Sequence, residues 1–105
     1  RYDQKTFTAD NKRGRALLVV SGDGRDGSLM IHQDADIYAG ILDADTKLQH
    51  GLRKNRRGWI QLVHGALDVN GVSLTSGDGL ALENENTLTL IASRANTEFL
   101  IFDLP

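Results

Sequence analysis

Residues 58–82, GWIQLVHGALDVNGVSLTSGDGLAL, limit the possible folds more than any other part of this chain. Residues 59–63 form an apolar run with the character of a strand. His64-Gly65 interrupts it, and residues 66–69 resume it. Asn70-Gly71 is a dipeptide suited to a two-residue turn with positive φ at both central positions, the strongest short-range hairpin signal. Residues 72–74 return, Ser76-Gly77-Asp78-Gly79 turns again, and residues 80–82 lead out. Four strand segments joined by tight turns in so short a span predict an antiparallel meander.

The rest of the chain reads as strands that could pair with it. Residues 15–21 (RALLVVS) are apolar on both faces, which suits a buried strand. SGDGRDGS, at 21–28, holds three glycines and two aspartates and predicts a loop. Residues 29–31 predict a short strand and 35–42 (ADIYAGIL) a longer one. Residues 46–52 alternate, with Leu48, His50 and Leu52 on one face and Lys47, Gln49 and Gly51 on the other. RKNRR at 53–57 and ENEN at 83–86 are turns. Residues 87–90 alternate with Leu88 and Leu90 inward. Residues 97–104 place Phe99 and Ile101 on one face and Leu100 and Phe102 on the other. No helical period runs beyond about three turns. About nine or ten short strands at this spacing predict an all-β jelly roll of two antiparallel sheets over one core. The single proline is terminal, so no strand is broken by one. Several strands are apolar on both faces, which requires loops or a partner to cover the outer face.

Composition then narrows the function. At 105 residues the chain is one domain, large enough to bury a core without staples. Residues 1–14 are polar, with Tyr2 and Phe7 as their large apolar groups. They read as an arm or interdomain linker preceding a single domain at 15–105. There is no cysteine, which excludes disulfides, thiolate metal ligands and a cysteine nucleophile, and fits a reducing, cytoplasmic compartment. A net charge of −2 gives no electrostatic basis for nucleic-acid binding. No apolar run approaches the roughly 20 residues of a membrane helix, and no signal-peptide pattern opens the chain. A start at Arg1 without an initiator Met fits a processed or excised piece.

The groups that could carry chemistry are few. His32, His50 and His64 are the three histidines. A metal site could be built from His50, His64 and an acid such as Asp68. The opposing reading is a strand-end, a half-buried and a turn histidine with no common focus, and their spacing matches no ligand motif. Asp34 and Asp36 could form an acid pair or sit as edge acids. RKNRR could hold an anion or be a solvated hairpin end. SGDGRDG lacks the helix that a phosphate-binding glycine loop needs. Trp59 and Tyr38 could stack a ligand, fill the core or plug against a companion domain. No Ser-His-Asp or Cys-His arrangement can be argued.

The glycine pattern of the central stretch resembles the cupin family. On the second cupin motif, Gly71 takes the first glycine place, Gly79 the second and Asn86 the final asparagine. The proline place holds Gly77 and the histidine place Leu82. On the first motif, the closing glycine is Gly65 and the glutamate place falls on Gly58. Its histidine places fall on Leu52 and Lys54, or on Gly51 and Arg53 in the other spacing. All four metal-ligand places therefore hold other residues. More specifically, RYDQKTF, RDGSLMIHQDADIYAGIL, RRGWIQLVHGALDVNG, SGDGLAL and FLIFDLP resemble, in order, the C-terminal cupin domain of bacterial pirin-like proteins. The resemblance implies a cupin-type double-stranded β-helix. It implies a parent with two cupins, some of whose kind are quercetin 2,3-dioxygenases, and a divalent metal such as iron, nickel, copper or zinc in the N-terminal cupin. It transfers no catalytic, cofactor-binding or metal residue to this sequence.

Three expectations follow. The leading one is a metal-free structural domain that packs against a catalytic N-terminal cupin or a second copy. The second is a part of a metal-dependent flavonol oxygenase whose active site lies in the other domain. The third is a metal-independent small-molecule binding module. The inward positions, mostly Leu, Ile, Val and Phe, favour a filled interior.

Overall fold

Each long strand of the chain can bury at least one row of side chains, and two sheets facing one another satisfy that need. The computed structural model describes residues 7–31, 33–53, 56–83 and 86–105. Its strands in chain order are β1 (Leu17–Ser21), β2 (Leu29–Met30), β3 (Asp36–Leu42), β4 (Lys47–Gly51) and β5 (Arg57–His64). They continue with β6 (Ala66–Val69), β7 (Val72–Thr75), β8 (Gly79–Leu82), β9 (Thr87–Ala92) and β10 (Thr97–Leu104). One sheet has the order β2-β1-β3-β10-β5-β8 and the other β4-β9-β6-β7. Every pairing is antiparallel except β1 with β2. The all-β expectation holds, as a sandwich of two facing sheets.

Strand β10 sits at the centre of the larger sheet because both its faces are apolar. It pairs with β3 on one side and β5 on the other over nearly its full length. Its alternation sends Thr97, Phe99, Ile101 and Asp103 inward, all buried. Facing them, Leu88, Leu90 and Ala92 of β9 and Leu67 and Val69 of β6 complete the core. As the alternation of 46–52 predicts, Leu48 and His50 of β4 are partly buried while Lys47 and Gln49 are exposed.

The central stretch departs from a simple meander. β6 and β7 do form the predicted hairpin, with Asn70 at φ 49° and Gly71 at φ 89°. The Asp68 carboxylate accepts from the Gly71 N–H at 2.8 Å. But β5 and β6 lie in different sheets, and β8 returns to pair with β5. The corner is Gly65, at φ 106°, where a Cβ would run into Thr97. After β7, the Gly77 N–H donates to the Leu62 carbonyl at 2.8 Å and brings the chain back to β5. The hairpin is thus handed across to the second sheet.

Two other expectations are corrected. β1 begins at Leu17, and only Leu18 and Ser21 of it are buried, because the two-residue β2 alone flanks its outer side. The polar arm also contains one helical turn, α1 (Ala9–Lys12), started by Thr8 and Asn11 in a reciprocal capping box. Phe7 is half-buried, and the expected contribution of Tyr2 lies outside the described residues. The arm is fastened by the Gly14 N–H on the Ile41 carbonyl and by Lys12 on Glu98 at 3.1 Å.

Candidate functional site

One end of the sandwich collects the polar groups of the interior. β3 and β10 run in register so that Asp36 lies directly beside Asp103, with Gly58 of β5 on the other side of Asp103. Both carboxylates are buried. Two carboxylates side by side need counter-charge, and three arginines supply it. Arg25, from the glycine loop, grips Asp36 with two guanidinium nitrogens at 2.6 and 3.3 Å. Arg56 donates to Asp103 at 2.7 Å and to Asp34 at 2.6 Å. It also donates to the backbone carbonyls of Asp34 and Asp103, both at 3.1 Å. Arg53 lies between the acids, 3.2 Å from Asp36 and 3.5 Å from both Asp34 and Asp103.

This arrangement sets the protonation of its members. The hydrogen bond from Arg56 holds Asp34 below the usual carboxylate range. The backbone N–H of Arg25, then its guanidinium, does the same for Asp23. Hydrogen bonds to Asp36 and Asp23 raise Arg25 further above its already high value. Burial pulls Arg56 down, but its bonds to Asp103 and Asp34 outweigh it and the net direction is up. The cluster is therefore a fixed ion network in which every carboxylate already has guanidinium partners.

One step deeper, Tyr38 of β3 and His50 of β4 meet edge-to-face with ring centroids 4.4 Å apart. Burial, then the nearby Asp36 charge, raises the Tyr38 phenol. Burial lowers the His50 imidazole, and the Asp103 charge only partly opposes it. His50 Nε2 is fully enclosed and has no hydrogen-bond partner among the described residues.

Beside this pair lie the places that align with cupin metal ligands. A Cβ added at Gly58 would lie 3.2 Å from Leu52 Cδ1 and 3.2 Å from Leu82 Cβ. The three positions thus converge on one point, from the end of β4, the start of β5 and the end of β8. Leu52 and Leu82 are buried there. Of the first motif's alternative histidine places, Leu52 is buried, Gly51 is exposed and Arg53 lies 3.2 Å from Asp36. Lys54 lies outside the described residues. Hydrocarbon occupies the point where Leu52, Gly58 and Leu82 meet, and among the described residues no group of three or more His, Cys, Asp or Glu could hold a metal.

The other candidates separate. His64 is exposed at the end of β5, and Asp68 faces outward from the second sheet as a cap of the Gly71 turn. His50 is inside, so the three share no focus, and His32 lies outside the described residues. Asp34 and Asp36 are bridged by Arg53, at 3.5 and 3.2 Å. In RKNRR, Arg56 folds inward with its side chain only 9% exposed, unlike a solvated hairpin end. Trp59 lies on the outer face over Gly79, with its indole N–H donating to Gln61 at 3.2 Å. The sequence reading missed Asp103 and Arg25, and it weighed RKNRR as an anion holder without separating Arg56 from its neighbours. The alternation of 97–104 carries the signal for Asp103, since it places that acid on the buried face of Phe99 and Ile101.

This geometry has relatives. A quercetin 2,3-dioxygenase of Escherichia coli (strain K12) is 42% identical over 105 residues, covering 100% of this chain and 44% of that protein. A pirin-like protein of Caulobacter vibrioides is 29% identical over 92 residues, covering 87% of this chain and 40% of its own length. The crystal structure of YhhW from Escherichia coli superposes with a TM-score of 0.90 at 41% identity, over 100% of this chain and 43% of that one. The structure of bacterial pirin YhhW in complex with nickel(II) gives 0.88 at 40% identity, over 100% and 44%. The chain spans less than half the length of these relatives. Residues 18–104 match the family described as the quercetinase C-terminal cupin domain. With strands, turns and interior all in agreement, the chain belongs to the quercetinase C-terminal cupin domains of pirin-like proteins.

Proposed function

We propose that this domain is the non-catalytic cupin of a two-cupin protein, shaping and supporting its companion without bond-making of its own. The observation that carries this reading is the leucine packing around Gly58. A mononuclear metal in a cupin requires three or four imidazole or carboxylate groups directed at one point. Here that point is met by Leu52, by a glycine and by Leu82. The His50 ring lies against Tyr38, and burial lowers its pKa. On this reading, any flavonol dioxygenase reaction of the whole protein, of the kind named for the Escherichia coli relative, belongs to the companion cupin. So does any divalent metal, including an ion such as the nickel of the related pirin. The absence of cysteine is compatible with work in the reducing cytoplasm. Elemental analysis of the purified chain after dialysis is the test. Below about a tenth of an equivalent of iron, nickel, copper or zinc is expected. Stoichiometric metal would overturn the reading.

One observation favours a second reading, a small-molecule site without metal. His50 Nε2 is a buried polar atom with no partner among the described residues, and such atoms are rare in native interiors. Soaking crystals of the domain in small alcohols distinguishes the two. An alcohol hydroxyl bonded to Nε2 would support the binding module, and an interior that admits none would reject it.

A further inference from the structure

The two outer faces of the sandwich differ in chemistry. Outside the four-stranded sheet the strands present Lys47, Gln49, Asp68, Ser73 and Thr89, with Ile91 the large apolar exception. That is the ordinary solvated side of an antiparallel sheet. Outside the six-stranded sheet the register sets Ile37, Phe102, Trp59 and Ala81 in one row across four strands. Leu100 and Val63 extend it. Trp59 is 39% and Val63 47% exposed, and Ile37, Leu100 and Phe102 are half-buried. A contiguous apolar row on a sheet exterior is the kind of surface that marks an interaction site.

The arm runs to this same face. Lys12 reaches Glu98, an outward residue of β10, and the Arg13–Gly14 segment is bonded to Ile41 of β3. It covers the outer face at Ile41, which is buried, and leaves Trp59 and Val63 of β5 exposed. The last residues of the arm, Lys12 to Gly14, are therefore held on the apolar side just before β1 begins. The relatives are more than twice as long as this chain.

We infer that the outer face of β3, β10 and β5, centred on Trp59 and Phe102, is the surface on which the preceding cupin domain of the same polypeptide docks. This rests on the reading that a companion cupin accompanies the domain, and it names the face used. The companion must present a complementary apolar surface, because the row offers the Trp59 indole and Gln61 amide as polar groups but no charge at its centre. The polar face of β4, β9, β6 and β7 stays in water.

The chain has no cysteine of its own, which makes single-cysteine reporters clean within it. Val63→Cys and Ile91→Cys place a thiol on each outer face at positions of similar exposure, 47% and 42%. Both are made in the full-length protein. Maleimide modification is followed at the level of the peptide, so cysteines elsewhere do not interfere. Position 63 is expected to react about ten-fold or more slowly than position 91. X-ray scattering and light scattering on the same samples separate the ways to fail. Equal rates in a compact full-length monomer would place the companion on another face and overturn this inference alone. Equal rates in an extended, bead-like protein would overturn the supporting role as well. Protection of position 63 found only in a dimer would assign the face to a second copy instead.

Discussion

His50 and Asp103 show how differently two buried polar residues can be managed. His50 is an imidazole in a nearly closed interior, and burial keeps it neutral when folded. Unfolded, it takes a proton near the ordinary histidine value of about 6.5. Between that value and the lower folded one, the unfolded chain binds a proton that the folded chain excludes, so stability falls as the pH drops through this window. Above it His50 contributes no pH dependence. Denaturant midpoints at pH 7.5 and 5.5 should therefore drop more for the natural chain than for His50→Leu, and equal drops would show that His50 titrates normally in the fold. Asp103 instead is buried against two guanidinium groups, those of Arg56 at 2.7 Å and Arg53 at 3.5 Å. Asp103→Asn leaves Arg56 without one of its two carboxylates in a buried setting, with an expected loss of about 3 kcal/mol. The exposed pair of Arg13 and Asp43, at 2.6 Å, is geometrically as good. Even so, Asp43→Asn is expected to cost under about 1 kcal/mol, because water screens it. Urea denaturation of the two variants checks the contrast.

At the level of strands and turns, two glycines are required for different reasons. Gly71 sits at positive φ in the hairpin turn with nothing near its missing Cβ. Gly71→Val there should cost about 1–2 kcal/mol through backbone strain alone, and a measured loss below about 0.5 kcal/mol would contradict the turn type. Gly40 is in the middle of β3, where a Cβ would run into the Arg15 carbonyl and the Phe99 ring. Gly40→Ala is expected to lose about 3 kcal/mol, more than Gly71→Val, because neither backbone nor a fully buried ring can give way. Thermal or urea midpoints decide the order. The difference also explains what could be read in advance. Asn70-Gly71 is a local signal, and alternation located β4, β9 and β10. The transfer of β6 and β7 to the other sheet depends on Gly65 packing against Thr97, 32 residues on, and no local pattern carries that. The ion network was hidden for the same reason. It joins residues of the glycine loop, β3, the β4–β5 connection and β10, and charged residues next to glycines read first as solvated turns.

For the molecule as a whole, a sandwich can be closed inside and adhesive outside, and the interior can be tested by attempting to reopen it. Leu52, Leu82 and the Cβ place of Gly58 meet at one point, and the side chains that reach it are hydrocarbon. Leu82→His introduces one imidazole into that packing. One donor among methyl groups makes no chelate, and burying an unpaired imidazole is unfavourable. The single variant should lose stability and take up no nickel or zinc by calorimetric titration. Leu52→His, Gly58→Glu and Leu82→His together remove both leucines that crowd the Cβ at Gly58 and direct three donors at one point. Three protein ligands with positions left for water suffice for a first-row divalent ion. The triple variant is expected to bind about one equivalent of zinc or nickel, with a stabilisation that chelator reverses. Tight uptake by the single variant would mean that His50 or a carboxylate already reaches the focus, and the ion network would then be a ligand shell. Failure of the triple variant to bind would show that the positions meet only as packing.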